Sequence, residues 1–175
     1  MNLSHHKLVQ IGRKWLFRSH PIVITELATI GEEPDVCGFK NGNATLLECK
    51  ATRADFRADK DKLFRVHPQL GIGAYRYYLT PIDLIEITEL PDRWGLLETD
   101  GKRVFIRRTP TFFHERNDRQ EKVILMSTIR RIAHGMDRPV SISAYSYTTE
   151  NRATPTIDVD DETVEICEET EAVSA

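Results

Sequence analysis

Three acidic residues and one lysine stand where a folded sheet could bring them to one site. Glu26 follows a run rich in β-branched residues, Pro34-Asp35 opens a short apolar segment, and Glu48-Cys49-Lys50 closes the next. Residues two apart on a strand project from the same face, so Glu48 and Lys50 should point together while Leu47 and Cys49 point the other way. One face of this strand is therefore expected to carry chemistry and the other to pack.

Carboxylate oxygens in such a group suit Mg²⁺ or Mn²⁺, which uses few protein carboxylates and completes its shell with water and substrate phosphate. Phosphodiester hydrolysis needs an activated water and relief of negative charge, and a metal ion supplies much of both. We expect Asp35 and Glu48 to hold the metal, with the backbone carbonyl of Cys49 as a further ligand. Glu26 is expected to support the same ion or a second one. Lys50 would orient the attacking water and counter the phosphate charge.

The elements that must position these residues follow from hydrophobic periodicity and turn signals. An amphipathic helix is predicted over residues 3–17 and another over 115–134. Strands are predicted over 22–30, 35–39, 44–51 and 74–79, with a hairpin formed by 95–98 and 103–107. Asn41-Gly42 is a strong turn between the second and third strands, because both residues tolerate positive φ. Residues 140–149 fit either a strand or the start of a tail.

Charge divides the 175-residue chain into two parts. Residues 150–175 hold nine acidic residues and one arginine, whereas residues 1–149 hold 23 basic and 18 acidic residues. The overall charge of −3 therefore averages a mildly basic body with an acidic segment, and it does not argue against a polyanionic partner. We predict one α/β domain over residues 1–149 and an acidic, flexible tail over 150–175.

Several classes of protein are disfavoured by what the sequence lacks. It has no run of eighteen apolar residues and no signal-peptide pattern at its N-terminus, so we expect no membrane association and a cytoplasmic protein. Its three cysteines show no metal-binding or disulfide spacing, so we expect reduced thiols. P-loop, GxGxxG and GxSxG patterns are also lacking, which disfavours nucleotide-driven, dinucleotide and α/β-hydrolase chemistry.

At Pro34-Asp35 and Glu48-Cys49-Lys50 the chain resembles the PD-(D/E)xK nuclease superfamily, whose signature these residues match, and Glu26 matches an additional acidic position of many members. The ten residues 51–60, Ala-Thr-Arg-Ala-Asp-Phe-Arg-Ala-Asp-Lys, resemble the segment after the signature in small bacterial and phage proteins, including MmcB-like DNA-repair nucleases. The likeness continues through residues 75–81 and 90–97 and covers about residues 8–108. Relative to the MmcB-like pattern, the segment 62–73 is longer, and residues 137–175 have no counterpart.

The resemblance implies a restriction-endonuclease-like fold, with a central mixed β-sheet flanked by helices, and divalent-metal cleavage of phosphodiester bonds. We therefore expect a nuclease that acts on DNA in repair, recombination or phage DNA processing. A catalytically weak nucleic-acid-binding or assembly module on the same fold is one alternative, and an RNA-cleaving nuclease is another. Homodimerisation and protein partners stay open.

Five basic residues after the signature could grip the phosphates that flank the scissile bond, a contact that positions nucleic acid without reading its sequence. They leave the proposed metal strand directly and are interrupted by three aspartates, so an ordinary mixed surface charge is the alternative interpretation. The five residues are Arg53, Arg57, Lys60, Lys62 and Arg65.

Overall fold

The computed structural model describes residues 3–26, 32–135, 140–142 and 166–167. These residues form four α-helices: α1 (His5–Phe17), α2 (Arg53–Asp59), α3 (Leu63–Val66) and α4 (Asp118–Ala133). Within the same ranges there are eight strands: β1 (Ile22–Thr25), β2 (Val36–Lys40), β3 (Asn43–Cys49), β4 (Tyr75–Pro81), β5 (Gly95–Thr99), β6 (Val104–Arg108), β7 (Val140–Ile142) and β8 (Ile166–Cys167). Single 3₁₀ turns lie at Pro68–Leu70 and Ile87–Glu89.

The strands form one mixed sheet in the order β7-β1-β2-β3-β4-β5-β6-β8. Strands β1 to β6 make its body, and the short β7 and β8 extend its two edges. Pairing is antiparallel from β1 to β3, parallel from β3 to β5, and antiparallel again between β5 and β6. The predicted α/β class with a central mixed sheet flanked by helices is confirmed.

Each face of the sheet has its own hydrophobic core. On one face, α1 buries Leu8, Ile11 and Leu16 against residues of β1 to β6, including Leu47 and Cys49. On the other face, Phe56 of α2 and Ile124 of α4 pack in a second core with Leu46, Tyr78 and Trp94. Burying apolar side chains on both faces is what holds a sheet of this kind between helices.

The strand that carries Glu48 alternates as predicted. Leu47 and Cys49 lie in the core beneath α1, whereas Leu46 lies in the opposite core. Cys37 and Cys49 are buried free thiols. Burial, followed by the nearby Asp35 carboxylate, raises the pKa of Cys49 well above its ordinary value, so this thiol stays protonated and is no nucleophile.

Local signals account for most element boundaries. Ser4 caps α1 by accepting a hydrogen bond from the Lys7 amide at 3.3 Å, and Asn117 caps α4 by accepting one from the Gln120 amide at 3.0 Å. Asn41 and Gly42 both have positive φ, at 50° and 76°, as the predicted two-residue turn requires.

Two parts of the prediction need correction or fall outside the described residues. No helix or strand is assigned to the segment 51–73 from the sequence; it forms α2 and α3, with Thr52 capping α2 by accepting a hydrogen bond from the Asp55 amide at 3.1 Å. Residues 27–30 of the strand predicted over 22–30 lie outside the described residues. So does the segment predicted as an acidic tail, apart from β8, which pairs in parallel with β6.

Candidate active site

The three predicted acidic residues lie side by side at one end of β1, β2 and β3. The register pairs Val36 with Leu47, so Asp35 and Glu48 are the next two residues along that ladder. Asp35 is anchored there because its Oδ2 accepts a hydrogen bond of 2.7 Å from the Cys49 amide. The structure thus brings Asp35 and the Glu48-Cys49-Lys50 segment together.

Glu26 joins this row through its backbone. Its amide donates to the Asp35 carbonyl at 3.1 Å, and its own φ of 46° ends β1 in a left-handed conformation that costs an ordinary residue about 1 kcal/mol. The Glu26 side chain is exposed, in contrast to the other two acidic residues.

Glu48 is surrounded by cations. Its side chain is 3% exposed, and its Oε2 lies 2.9 Å from Lys50 Nζ and 3.1 Å from Arg65 Nη2. Lys62 Nζ approaches the same oxygen at 3.9 Å. These three contacts with described residues all involve Oε2.

A fourth acidic residue, Asp59 at the end of α2, is the most heavily bonded carboxylate of the group. Its Oδ1 lies 2.9 Å from both Lys50 Nζ and Lys62 Nζ. Its Oδ2 accepts hydrogen bonds from Arg65 Nε at 2.6 Å and from the Tyr78 hydroxyl at 2.7 Å. Although burial opposes ionisation, Arg65 and Lys50 hold the pKa of Asp59 well below its usual range, so it is an anion.

Arg65 lies in the interior, where it joins carboxylates from three parts of the chain. Its side chain is 2% exposed and contacts Glu32 Oε1 at 2.7 Å in addition to Glu48 and Asp59. Its guanidinium also stacks on the Trp94 ring, 4.5 Å from the ring centroid. Arg65 is predicted to grip a phosphate, but the structure places it inside the protein, where its donors contact three carboxylates.

Lys50 lies on the same side of the sheet as Glu48, as its spacing predicts, and is shared by two carboxylates. Its Nζ is 2.9 Å from both Glu48 Oε2 and Asp59 Oδ1. Burial alone would lower the pKa of Lys50, but the two carboxylates outweigh it and raise the pKa above its ordinary value. The side chain is therefore an ammonium ion, which can counter phosphate charge but cannot accept a proton.

The remaining predicted basic residues form an outer layer. Arg53 donates to the Leu84 carbonyl at 2.9 Å and pairs with Glu89 at 2.6 Å. Lys60 lies over the Phe56 ring, and the Arg57 side chain is exposed. Lys62 is 53% exposed and reaches from the surface into the carboxylate cluster. Arg57, Lys60 and Lys62 are thus accessible to a polyanion.

Asp35 is the carboxylate whose charge is least well compensated. Burial, together with the Glu48 charge, raises its pKa to about 6, against the opposing effects of the Cys49 amide, His5 and Lys50. His5 Nε2 lies 3.5 Å from its Oδ1, at the first residue of α1. Two carboxylates that repel one another in a poorly solvated place attract a cation.

These residues fit a divalent cation bound through few protein ligands. Among the described residues, no group of three or more His, Cys, Asp or Glu side chains is arranged to hold a metal ion. The repelling pair of Asp35 and Glu48 is nevertheless the kind of site that Mg²⁺ uses, since this ion takes one or two carboxylates and fills its other positions with water and phosphate. Asp35, Glu48 and the Cys49 carbonyl are the groups that would hold it.

Replacing Asp35 with asparagine should stabilise the metal-free protein at neutral pH. A carboxyl whose pKa is raised from 3.8 to about 6 on folding loses stability as pH rises between these values. Asparagine removes this penalty and can still accept the Cys49 hydrogen bond. Thermal unfolding in EDTA should show the variant about 3–6 °C more stable at pH 7.5 and no more stable than wild type at pH 4. A lower melting temperature at pH 7.5 would contradict the repulsion between Asp35 and Glu48.

The sequence did not indicate that Glu32, Asp59 or His5 contacts the residues around Asp35 and Glu48. Glu32 is held by the Ile72 amide, which donates to its Oε2 at 2.8 Å, as well as by Arg65. The only sequence signal for Asp59 was its position in the segment that resembles MmcB-like proteins. Nothing in the spacing of Glu32 or His5 distinguishes them from surface residues.

Comparisons with known proteins bear on the fold alone. The chain matches no protein-family model and no curated protein. It is similar to the solved structure of SPO1766, a protein of unknown function from Silicibacter pomeroyi, with 22% sequence identity and a TM-score of 0.58 over 78% of this chain and 91% of that one.

Within the described residues, no helix is long and apolar enough to cross a membrane.

Proposed function

We propose that this protein is a divalent-metal-dependent nuclease of the restriction-endonuclease-like type that hydrolyses phosphodiester bonds in DNA. The observation that carries the proposal is the juxtaposition of Asp35, Glu48 and Lys50, two mutually repelling carboxylates and a buried ammonium ion, at one end of adjacent strands. This group meets the needs of phosphodiester cleavage, namely a place for a cation and a positive charge for the phosphate.

When bound, Mg²⁺ or Mn²⁺ would supply an activated water and charge neutralisation at the scissile phosphate. The residues around the cation would have different roles. Asp35, Glu48 and the Cys49 carbonyl would hold the cation, and Glu26 stands beside Asp35 as a further acid. Lys50 would face the phosphate as a cation and orient the attacking water through an N–H donor, with no part as a base.

The buried network around Glu48 also favours a second candidate, a nucleic-acid-binding module with little catalysis. Lys50 and Arg65 already occupy Glu48 Oε2, so the carboxylate could be purely structural. We rank the nuclease first because the Asp35 charge is the least compensated of the group, and its contacts with the Cys49 amide and His5 do not offset burial and the Glu48 charge. The cellular setting we propose is a cytoplasmic role in DNA repair, recombination or phage DNA processing.

The direct test is cleavage of a defined set of substrates by the purified protein. Supercoiled, linear, single-stranded and branched DNA, and an RNA of matched sequence, are incubated in Mg²⁺, Mn²⁺ or EDTA. We expect DNA cutting that needs the metal and is lost in Asp35→Asn. DNA binding without cutting in either metal would favour the binding module, and preferential cutting of RNA would replace the proposed substrate class.

The exposed arginine of α2 provides a test of how DNA is held. Arg57→Ala should weaken binding to unrelated duplexes by about threefold each and reduce the salt dependence of binding, because a phosphate contact carries no sequence information. Fluorescence anisotropy at several salt concentrations measures both. Lys40→Ala is the matched control, since Lys40 is exposed at the opposite end of the β2–β3 hairpin from Glu48. If the two variants lose the same amount of DNA affinity, Arg57 makes no particular contact with the phosphates.

A further inference from the structure

Lys50 is held by two carboxylates, only one of which is a candidate metal ligand. Glu48 and Asp59 each place an oxygen 2.9 Å from its Nζ, and the lysine side chain is 7% exposed. A divalent cation at Glu48 would compete with Lys50 for that carboxylate, because both are cations. Lys50 can remain beside the site only if another anion keeps hold of it.

Asp59 has the geometry of that second anion. Its side chain is fully buried, and its Oδ2 is fixed by Arg65 Nε at 2.6 Å and the Tyr78 hydroxyl at 2.7 Å. These two contacts come from α3 and β4 and not from the strand that carries Glu48, although Arg65 also contacts Glu48, and they set the plane of the Asp59 carboxylate. The other oxygen, Oδ1, is thereby presented to Lys50.

Among the described residues, the other cation on Asp59 Oδ1 comes from the surface. Lys62 lies 2.9 Å from that oxygen but is 53% exposed, whereas Lys50 is enclosed. Solvent screens the exposed contact much more than the buried one. The contact of Asp59 with Lys50 is therefore stronger than its contact with Lys62.

We propose that Asp59 is a positioning residue that holds Lys50 beside the metal site and releases Glu48 to bind the divalent cation. This inference rests on the proposed function. Without the Asp59 charge, Lys50 would turn wholly to Glu48 and oppose the incoming cation. The loss of metal affinity in an Asp59 variant should therefore depend on the presence of Lys50. If Asp59 acted only through its negative charge, the loss would be the same with and without Lys50.

The test is a double-mutant cycle on Mn²⁺ affinity, measured by titration calorimetry on the full chain. Asp59→Asn should weaken Mn²⁺ binding by about tenfold when Lys50 is present and by less than about twofold in a Lys50→Met background. Glu32→Gln is the matched control, since it also removes one buried negative charge from the network but contacts Arg65 instead of Lys50. Its effect should be the same in both backgrounds.

A tenfold loss that persists in Lys50→Met would overturn the proposal, because Asp59 would then act only through its charge. Wild-type protein that binds no Mn²⁺ would overturn the proposed metal site and this inference together. If Asp59→Asn does not fold, Tyr78→Phe removes one of the two hydrogen bonds on Oδ2 and is measured in the same cycle. We expect it to weaken Mn²⁺ binding about twofold to threefold with Lys50 and to have no effect without it. An equal effect in both backgrounds would again overturn the proposal.

Discussion

Glu48→Gln is expected to reduce metal-dependent DNA cleavage by about a thousandfold or more. Glutamine keeps the size and shape of the side chain, so the pleat of β3 and the packing around it are retained. What it removes is the negative charge that a divalent cation needs next to Asp35. The rate is measured under single-turnover conditions in Mg²⁺, so that product release does not mask the effect.

A loss of stability has to be separated from this loss of cleavage. Glu48 is buried against Lys50 and Arg65, and neutralising it leaves two buried cations with fewer anions to pair with. Such a change destabilises a protein by about 3–5 kcal/mol when one partner of a buried pair is removed. Cleavage is therefore measured at a temperature where urea or thermal unfolding shows that the variant is folded.

Glu32→Gln is a suitable control because Glu32 is as deeply buried as Glu48 and also pairs with Arg65. It should lower the free energy of unfolding to a similar extent while retaining cleavage within about tenfold of wild type. If both glutamine variants lose cleavage in proportion to stability, Glu48 has only a structural role. If Glu48→Gln cleaves as fast as wild type, the proposed metal site is wrong.

The residues that the sequence could identify are those whose position follows from strand geometry. Asp35 and Glu48 flank a hairpin whose Asn41-Gly42 turn fixes the register, so their approach follows from counting residues along the two strands. The orientation of Lys50 follows from the two-residue period of a strand. These inferences need only local rules, and the contacts of Asp35 and Lys50 agree with them.

The residues that the sequence could not identify are those whose position depends on how helices pack on the sheet. Arg65 and Asp59 lie in a stretch where charges of both signs alternate, and such a stretch ordinarily indicates solvent exposure. Their burial arises because Phe56 anchors α2 in the core with Tyr78, and α3 follows closely behind. No helix is predicted from the sequence between residues 51 and 73, and without α2 and α3 these charged residues are expected to face solvent.

Arg65→Met tests the internal role that the structure gives to this arginine. We expect the free energy of unfolding to fall by about 3–5 kcal/mol, because the variant leaves three buried carboxylates, Glu32, Glu48 and Asp59, without their shared cation. Methionine can still pack on the Trp94 ring, so the loss reports mainly on charge. Urea unfolding at pH 7 measures it.

Arg65→Lys should recover only part of this loss. Lysine keeps the charge but has no planar fork, so it cannot serve Asp59 through Nε and the other two carboxylates through its terminal nitrogens at the same time. Arg53→Ala is the surface control: Arg53 is 42% exposed and pairs with one carboxylate, so its removal should cost less than about 1 kcal/mol. A similar cost for Arg65→Met would mean that Arg65 is not the centre of the buried network.

The pH dependence of the Arg65→Met defect tests whether the pairing of Arg65 with Asp59 contributes to it. Arg65 helps to hold the pKa of Asp59 below its usual value of 3.8, so this contribution to stability is present above that pH and is lost as pH falls below it. The gap in stability between wild type and Arg65→Met should therefore be widest near neutral pH and should narrow below about pH 4. A gap that stays constant from pH 7 to pH 3 would mean that the variant loses packing instead of the pairing of Arg65 with Asp59.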